Sequence, residues 1–195
     1  MSDAAPVTPP RWRVDLEAVL PDDAVIYSDI GGHMLFNIHH LCIRERQRFV
    51  LNLGFGSMGH GTCAPIGTAL AHPGRAVVAI VGDACFTMNG MELLTAAEYG
   101  VPVVWVVENN QMHGITYHGS AMVGRKQPLE CVRYQRPIEV AAMRAWVVGR
   151  PGQMGEIAAE ALRLREPCVI EVRVDPSIPP PLGDRARSLA GFIKR

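Results

Sequence analysis

Two textures of apolar and polar positions alternate along the chain. Some short runs are apolar almost throughout, while longer stretches are apolar on one side only. AVVAIV (76–81) and VPVVWVV (101–107) are of the first kind, as are DDAVIYS entering a strand at 24–28, RFVLNL (48–53), AWVVG (145–149) and PCVIEVRV (167–174). Short runs rich in β-branched residues and bounded by turn residues predict strands, many of them buried on both faces. Between them RVDLEAVL (13–20), MLFNIHHLCI (34–43), TCAPIGTALA (62–71), NGMELLTAAEYG (89–100), PIEVAAMRA (137–145) and GQMGEIAAEALRLRE (152–166) predict helices. Asn89 is the expected N-cap of the fourth helix and Gly100 its C′ residue.

This alternation predicts an α/β fold: a doubly wound, mainly parallel sheet with helices on both faces, in one domain over residues 1–195. Residues 1–10, rich in Pro and Ala, are expected to be loose. The tail, 176–195, is expected to run extended through its prolines and end in a short helix. Residues 112–136 have no sustained period, carry Gly114, Gly119, Gly124 and Pro128, and read as a long active-site loop.

Composition narrows the function classes. The chain of 195 residues is 48% apolar with zero formal net charge, which gives no footprint for nucleic acid or an anionic membrane. No apolar run approaches the roughly 18–20 residues that span a bilayer, and MSDAAPVTPPRWR lacks the form of a signal peptide. Cys42, Cys63, Cys85, Cys131 and Cys168 are scattered, with no C-x-x-C pair. That argues against a disulfide framework, structural zinc or an iron–sulfur cluster, and for a reducing cytoplasm.

The chemistry concentrates between 76 and 110, where strand, turn, helix and strand form one βαβ unit. Asp83 and Asn110 fall at the carboxyl ends of its two parallel strands, the edge where open α/β sheets bind ligands. A carboxylate and an amide oxygen brought together there suit Mg²⁺ whose octahedron is completed by phosphate oxygens. A competing motif is Gly54-Phe55-Gly56-Ser57-Met58-Gly59, which matches G-x-G-x-x-G after a strand and before a helix, as an NAD-binding Rossmann fingerprint does. Against it, an earlier strand carries its own Gly31-Gly32-His33 turn, and the NAD reading leaves Glu108-Asn109-Asn110 without a task.

Gly82-Asp83-Ala84 with Asn109-Asn110 resembles the Gly-Asp-Gly…Asn-Asn signature of thiamine-diphosphate-dependent enzymes. With Ile30-Gly31-Gly32-His33 and the 54–59 loop, residues 15–175 resemble the diphosphate-binding (PP) domain of the acetolactate synthase and 2-oxo acid decarboxylase group. The resemblance implies that Asp83 and Asn110 bind Mg²⁺ through side chains and Met112 through its main-chain oxygen. It implies diphosphate contacts from Gly82, the amides of Ala84 and Cys85, and Gly31, Gly32 and His33. Gly56 C=O, beside Ser57, would accept from the cofactor's 4′-amino group. Met58 would wedge the cofactor into its bent form, bringing its own base against the reacting carbon. His113, beside Gly114, is a candidate to relay protons, as is His60. Glu108, an acid near a diphosphate, is expected to point away.

The implied activity is decarboxylation of a 2-oxo acid followed by protonation or carboligation of the resulting enamine. Ala84 departs from the signature's third glycine, and no tryptophan follows Asn110 closely, so the substrate stays open. The resemblance further implies a separate Pyr-domain subunit that supplies an activating glutamate, in a heterodimer or heterotetramer. Other readings are a subunit of a 2-oxo acid oxidoreductase or dehydrogenase, the NAD-binding protein, and a non-catalytic PP-like module.

Overall fold

In the computed structural model, which describes residues 3–122, 124 and 143–183, six strands form one sheet in the order β2-β1-β3-β4-β6-β5. The strands are β1 (Val25–Ser28), β2 (Arg48–Leu51), β3 (Val77–Gly82), β4 (Val103–Asn109), β5 (Arg144–Val148) and β6 (Cys168–Arg173). Every pairing is parallel. The helices are α1 (Pro9–Val19), α2 (Gly32–His40), α3 (His60–Ala71), α4 (Asp83–Asn89), α5 (Leu93–Glu98), α6 (Gly114–Met122) and α7 (Gln153–Leu164).

Strand periodicity divides the core into two layers. Val78, Ile80, Val104, Val106, Ile170 and Val172 face α1 and α7 through Trp12, Leu16, Met154 and Ala158. Their neighbours Val77, Ala79, Val81, Val103, Trp105 and Val107 face α3, α4 and α5 through Ile66, Phe86, Leu93 and Ala96. Successive strand residues point to opposite faces, so a run buried on both sides must be apolar at every position. The doubly wound parallel sheet expected from the sequence is therefore present. Among the described residues no helix is long and apolar enough to cross a membrane.

Several boundaries differ from expectation. The helix predicted from Asn89 begins six residues earlier, at Asp83, and breaks at a 3-10 turn over Gly90–Glu92 before α5 resumes. Asp83 Oδ1 accepts from Ala84 N at 2.8 Å, satisfying a first-turn amide directly after the strand. Asn89 therefore closes α4 and is also the N-cap residue of the 3-10 turn, without a side-chain capping bond, while Gly100 is the left-handed residue (φ +61°) expected after α5. The loop expected over 112–136 contains α6 up to Met122. The expected helix at 137–145 lies outside the described residues up to 142, and Arg144 and Ala145 belong to β5. The tail is described as far as 183, so its expected terminal helix lies outside.

The N-terminal segment is anchored rather than loose at its end: Val7 is fully buried, bridges Val174 in parallel, and leads into α1 at Pro9. Proline is at home in a first helical turn, where its missing N–H costs no bond.

Candidate functional site

The carboxyl ends of β1, β3 and β4 open onto one cleft of about 160 Å³. Its lining brings together Gly31, Gly32, His33, Gly56, Met58, Gly82, Asp83, Ala84, Cys85, Asn110, Met112, His113 and Gly114. Of the residues singled out from the sequence for direct roles, Ser57 and His60 stand outside that lining; the Ser57 hydroxyl accepts from Asn52 Nδ2 at 3.1 Å. Sequence reasoning did not single out Ile115 and Thr116, which join the wall because α6 starts where a loop was expected.

The turn after β4 is built around Asp83. Asp83 Oδ2 accepts the main-chain N–H of Gln111 at 2.7 Å, and Asn109 Oδ1 accepts the same N–H at 3.2 Å. Gln111 is left-handed (φ +58°), which reverses the chain so that Asn110 Oδ1 accepts from Met112 N at 3.1 Å. Asn109 is buried and occupied elsewhere, donating to Glu171 Oε1 at 2.9 Å. Asn110 is thus the asparagine that faces the cleft. The Met112 carbonyl accepts from Gly114 N at 2.9 Å. The available donors are one carboxylate, one amide oxygen and main-chain oxygen, a hard-cation set. Among the described residues no group of three or more His, Cys, Asp or Glu side chains could hold a metal.

Burial, with the nearby charge of Glu108 adding to it, outweighs the amide bonds and pushes the Asp83 carboxyl up to about 7. A cation in the cleft would remove that penalty. His33 carries the complementary signal: burial, with Arg13 adding to it, lowers its pKa to about 3, so the ring is neutral. Its Nε2 is buried without a hydrogen-bond partner inside the cleft lining. Such an orphaned atom calls for a ligand or water. Around it the backbone leaves no room for side chains. A Cβ on Gly82 would lie 2.9 Å from His33 Nδ1, and one on Gly114 2.6 Å from Asn110 Nδ2. The Cys85 thiol, which donates to Ile30 O at 3.2 Å, is held protonated by burial and is a packing group. These features fit a diphosphate held by Mg²⁺.

Asp29, at the end of β1, holds the glycine-rich loop. Its Oδ2 accepts from Gly59 N at 2.9 Å and from Gly61 N at 3.1 Å. Gly59 is left-handed (φ +95°), and a Cβ there would fall 1.9 Å from Asn89 Oδ1, so the loop presses directly onto α4. Gly56 and Met58 project from this clamped loop into the cleft. The loop follows β2, the edge strand of the sheet, and not a central strand as a dinucleotide fingerprint does. His113 lines the cleft; His60 begins α3 outside that lining, its ring 6.0 Å from Tyr27.

A buried network under the cleft was not legible in the sequence. Glu108, next to Gly82 in the parallel register, contributes to the lining. Its Oε2 accepts from Arg13 Nη1 at 2.7 Å and from Trp12 Nε1 at 3.1 Å. The carboxylate, expected to point away from a diphosphate, is bound by α1 beneath the cleft.

Known proteins supply an independent comparison. The family described as thiamine pyrophosphate enzyme, C-terminal TPP binding domain, matches residues 29–172. A probable acetolactate synthase large subunit from Methanococcus aeolicus is 28% identical over 90% of this chain and 31% of its own length. A putative acetolactate synthase large subunit from Mycobacterium tuberculosis is 31% identical over 86% of this chain and 31% of its own. The acetolactate synthase large subunit of Haemophilus influenzae is 40% identical over 47% of this chain and 16% of its own. The chain spans about a third of the length of the first two relatives.

Proposed function

The chain belongs to the thiamine pyrophosphate enzymes through their C-terminal TPP-binding domain, and on that premise we propose that it is the diphosphate- and Mg²⁺-binding subunit of an acetolactate-synthase-like enzyme. That enzyme decarboxylates a 2-oxo acid and then protonates the product or joins it to a second carbonyl. The observation that carries this reading is the convergence of Asp83, Asn110, Met112, Gly56 and Met58 on one cleft. Bound there, thiamine diphosphate would supply the electron sink for loss of CO₂.

The remaining tasks fall to the chain's own residues. Asp83, Asn110 and the Met112 carbonyl would hold the cation. The turn at Gly31–His33 and the amides near Ala84 and Cys85 would receive the diphosphate, with Asp83 already sharing the Ala84 N–H. Gly56 C=O would accept from the 4′-amino group. Met58, half-buried and packed against the core, would press the two rings together. His113, in the cleft lining, would relay protons to the substrate.

The acids of the cleft support a partner domain. Among the described residues lining the cleft, the acidic side chains are Asp83 and Glu108. The first is assigned to the cation, and the carboxylate of the second is engaged by Arg13 and Trp12. The family resemblance assigns the glutamate that protonates the aminopyrimidine to a Pyr domain, proposed here as a partner subunit in a heterodimer or heterotetramer. Exposed apolar side chains support such a surface: Phe55, on the glycine-rich loop, is 92% exposed, and Met88 and Met91 flank the Asn89 contact of that loop.

Calorimetry with thiamine diphosphate and Mg²⁺, and separately with NADH, tests the reading on the chain alone and mixed with a candidate Pyr-domain subunit. Weak or absent thiamine diphosphate binding alone and tight binding in the mixture are expected. Binding of NADH with no response to thiamine diphosphate would overturn the reading.

A further inference from the structure

Arg13 is fully buried and sits outside the stretch that matches the family, 29–172. A buried guanidinium persists only where its hydrogen bonds are met and its charge is matched. Here Nη1 donates to Glu108 Oε2 at 2.7 Å and to Pro9 O, Nη2 to His33 O at 3.0 Å, and Nε to Asn37 Oδ1 at 2.6 Å. Asn37 in turn donates to Ser28 Oγ at 2.8 Å, tying the network to β1. The guanidinium also lies 4.2 Å over the Trp12 ring. Its partner Glu108 is 3% exposed, lines the cleft, and lies beside Gly82 in the register, one residue from Asp83. Left unmatched, that carboxylate would repel a diphosphate seated on the same strand ends.

We propose that Arg13 is the buried counter-charge of the diphosphate cleft: a positioning residue that neutralises Glu108 and anchors the His33 carbonyl from beneath, so that a polyanion can bind above. The inference rests on the thiamine diphosphate reading. It makes α1, although no part of the cleft lining, a determinant of anion affinity.

Charge and packing are separated by a double-mutant cycle read as thiamine diphosphate–Mg²⁺ affinity by calorimetry, with the Pyr-domain partner present. Folding is followed by circular dichroism. Arg13→Met keeps bulk but bares Glu108, and affinity is expected to fall at least about tenfold. Arg13→Met with Glu108→Gln removes both charges, and affinity is expected to return to within about threefold of wild type. If Arg13→Met alone does not fold, Glu108→Gln decides, because it leaves the positive charge in place and binding is expected to be equal or tighter. Unchanged affinity in Arg13→Met, an equal loss in the single and double variants, or weakened binding in Glu108→Gln would overturn the counter-charge. A wild type that binds no thiamine diphosphate would instead overturn the cofactor reading itself.

Discussion

Asp83, the first residue after β3, accepts the main-chain N–H of Gln111, the second residue after β4, at 2.7 Å. This bond crosses between the two central strands and fixes the turn that presents Asn110. It gives Asp83 two separable jobs, charge and tether. Asp83→Asn removes the charge while keeping an acceptor, so metal-dependent cofactor binding is expected to be lost with modest change in stability. Asp83→Ala also cuts the tether and is expected to lose a further 1–2 kcal/mol, roughly one buried hydrogen bond. Calorimetry and urea denaturation of both variants check this; unchanged Mg²⁺-dependent binding in either would refute the metal assignment.

The clamp at Asp29 makes Gly61 a sensitive position. A Cβ there would lie 2.9 Å from Asp29 Cβ and 3.1 Å from Asp29 N, both parts of a buried strand end. Gly61→Ala is expected to cost roughly 1–3 kcal/mol by overpacking. Because the clamp carries Gly56 and Met58, its cofactor affinity should fall as well. Wild-type affinity together with wild-type denaturation would show that the loop moves freely at no cost.

Acid should expose His33. Burial lowers its folded pKa from 6.5 to about 3. Below pH 6.5 the unfolded chain takes up a proton that the folded chain refuses, so stability present above that pH is lost as pH falls towards 3. By about pH 5 the loss from this one ring is about 2 kcal/mol. His33→Gln should therefore lose less unfolding free energy than wild type between about pH 7 and pH 5. Parallel losses in the two proteins would mean that the ring titrates normally.

Met58 separates holding the cofactor from bending it. Met58→Ala leaves the diphosphate cradle intact, so affinity is expected to stay within about threefold while kcat of the assembled enzyme falls at least about tenfold. Stopped-flow assay and calorimetry on the same preparation test this. A variant that binds tenfold worse and turns over normally would make Met58 part of the cradle instead.

The strands could be read because both of their faces are buried, so every position from Val77 to Val81 and from Val103 to Val107 had to be apolar. Asp83 and Asn110 stood out because a polar residue that ends such a run has little else to do. The start of α4 was missed because Gly-Asp after a strand usually signals a turn, and the bond from Ala84 N to the Asp83 side chain is visible only in three dimensions. Residues 114–122 carry no clear period because only Gly114 is buried, leaving little apolar face to detect. The Arg13–Glu108 pair could not have been found by pattern at all: 95 positions separate its members, and each looks like an ordinary charge in its own element.

The parallel bridge between Val7 and Val174 brings the first and last segments of the fold side by side. A strand ladder, a core on each side and a complete cleft lining are all enclosed between two neighbouring points of the backbone. One buried seam, where Val7 and Val174 are 0% and 4% exposed, therefore closes the whole unit, and fraying at either end would open the same spot.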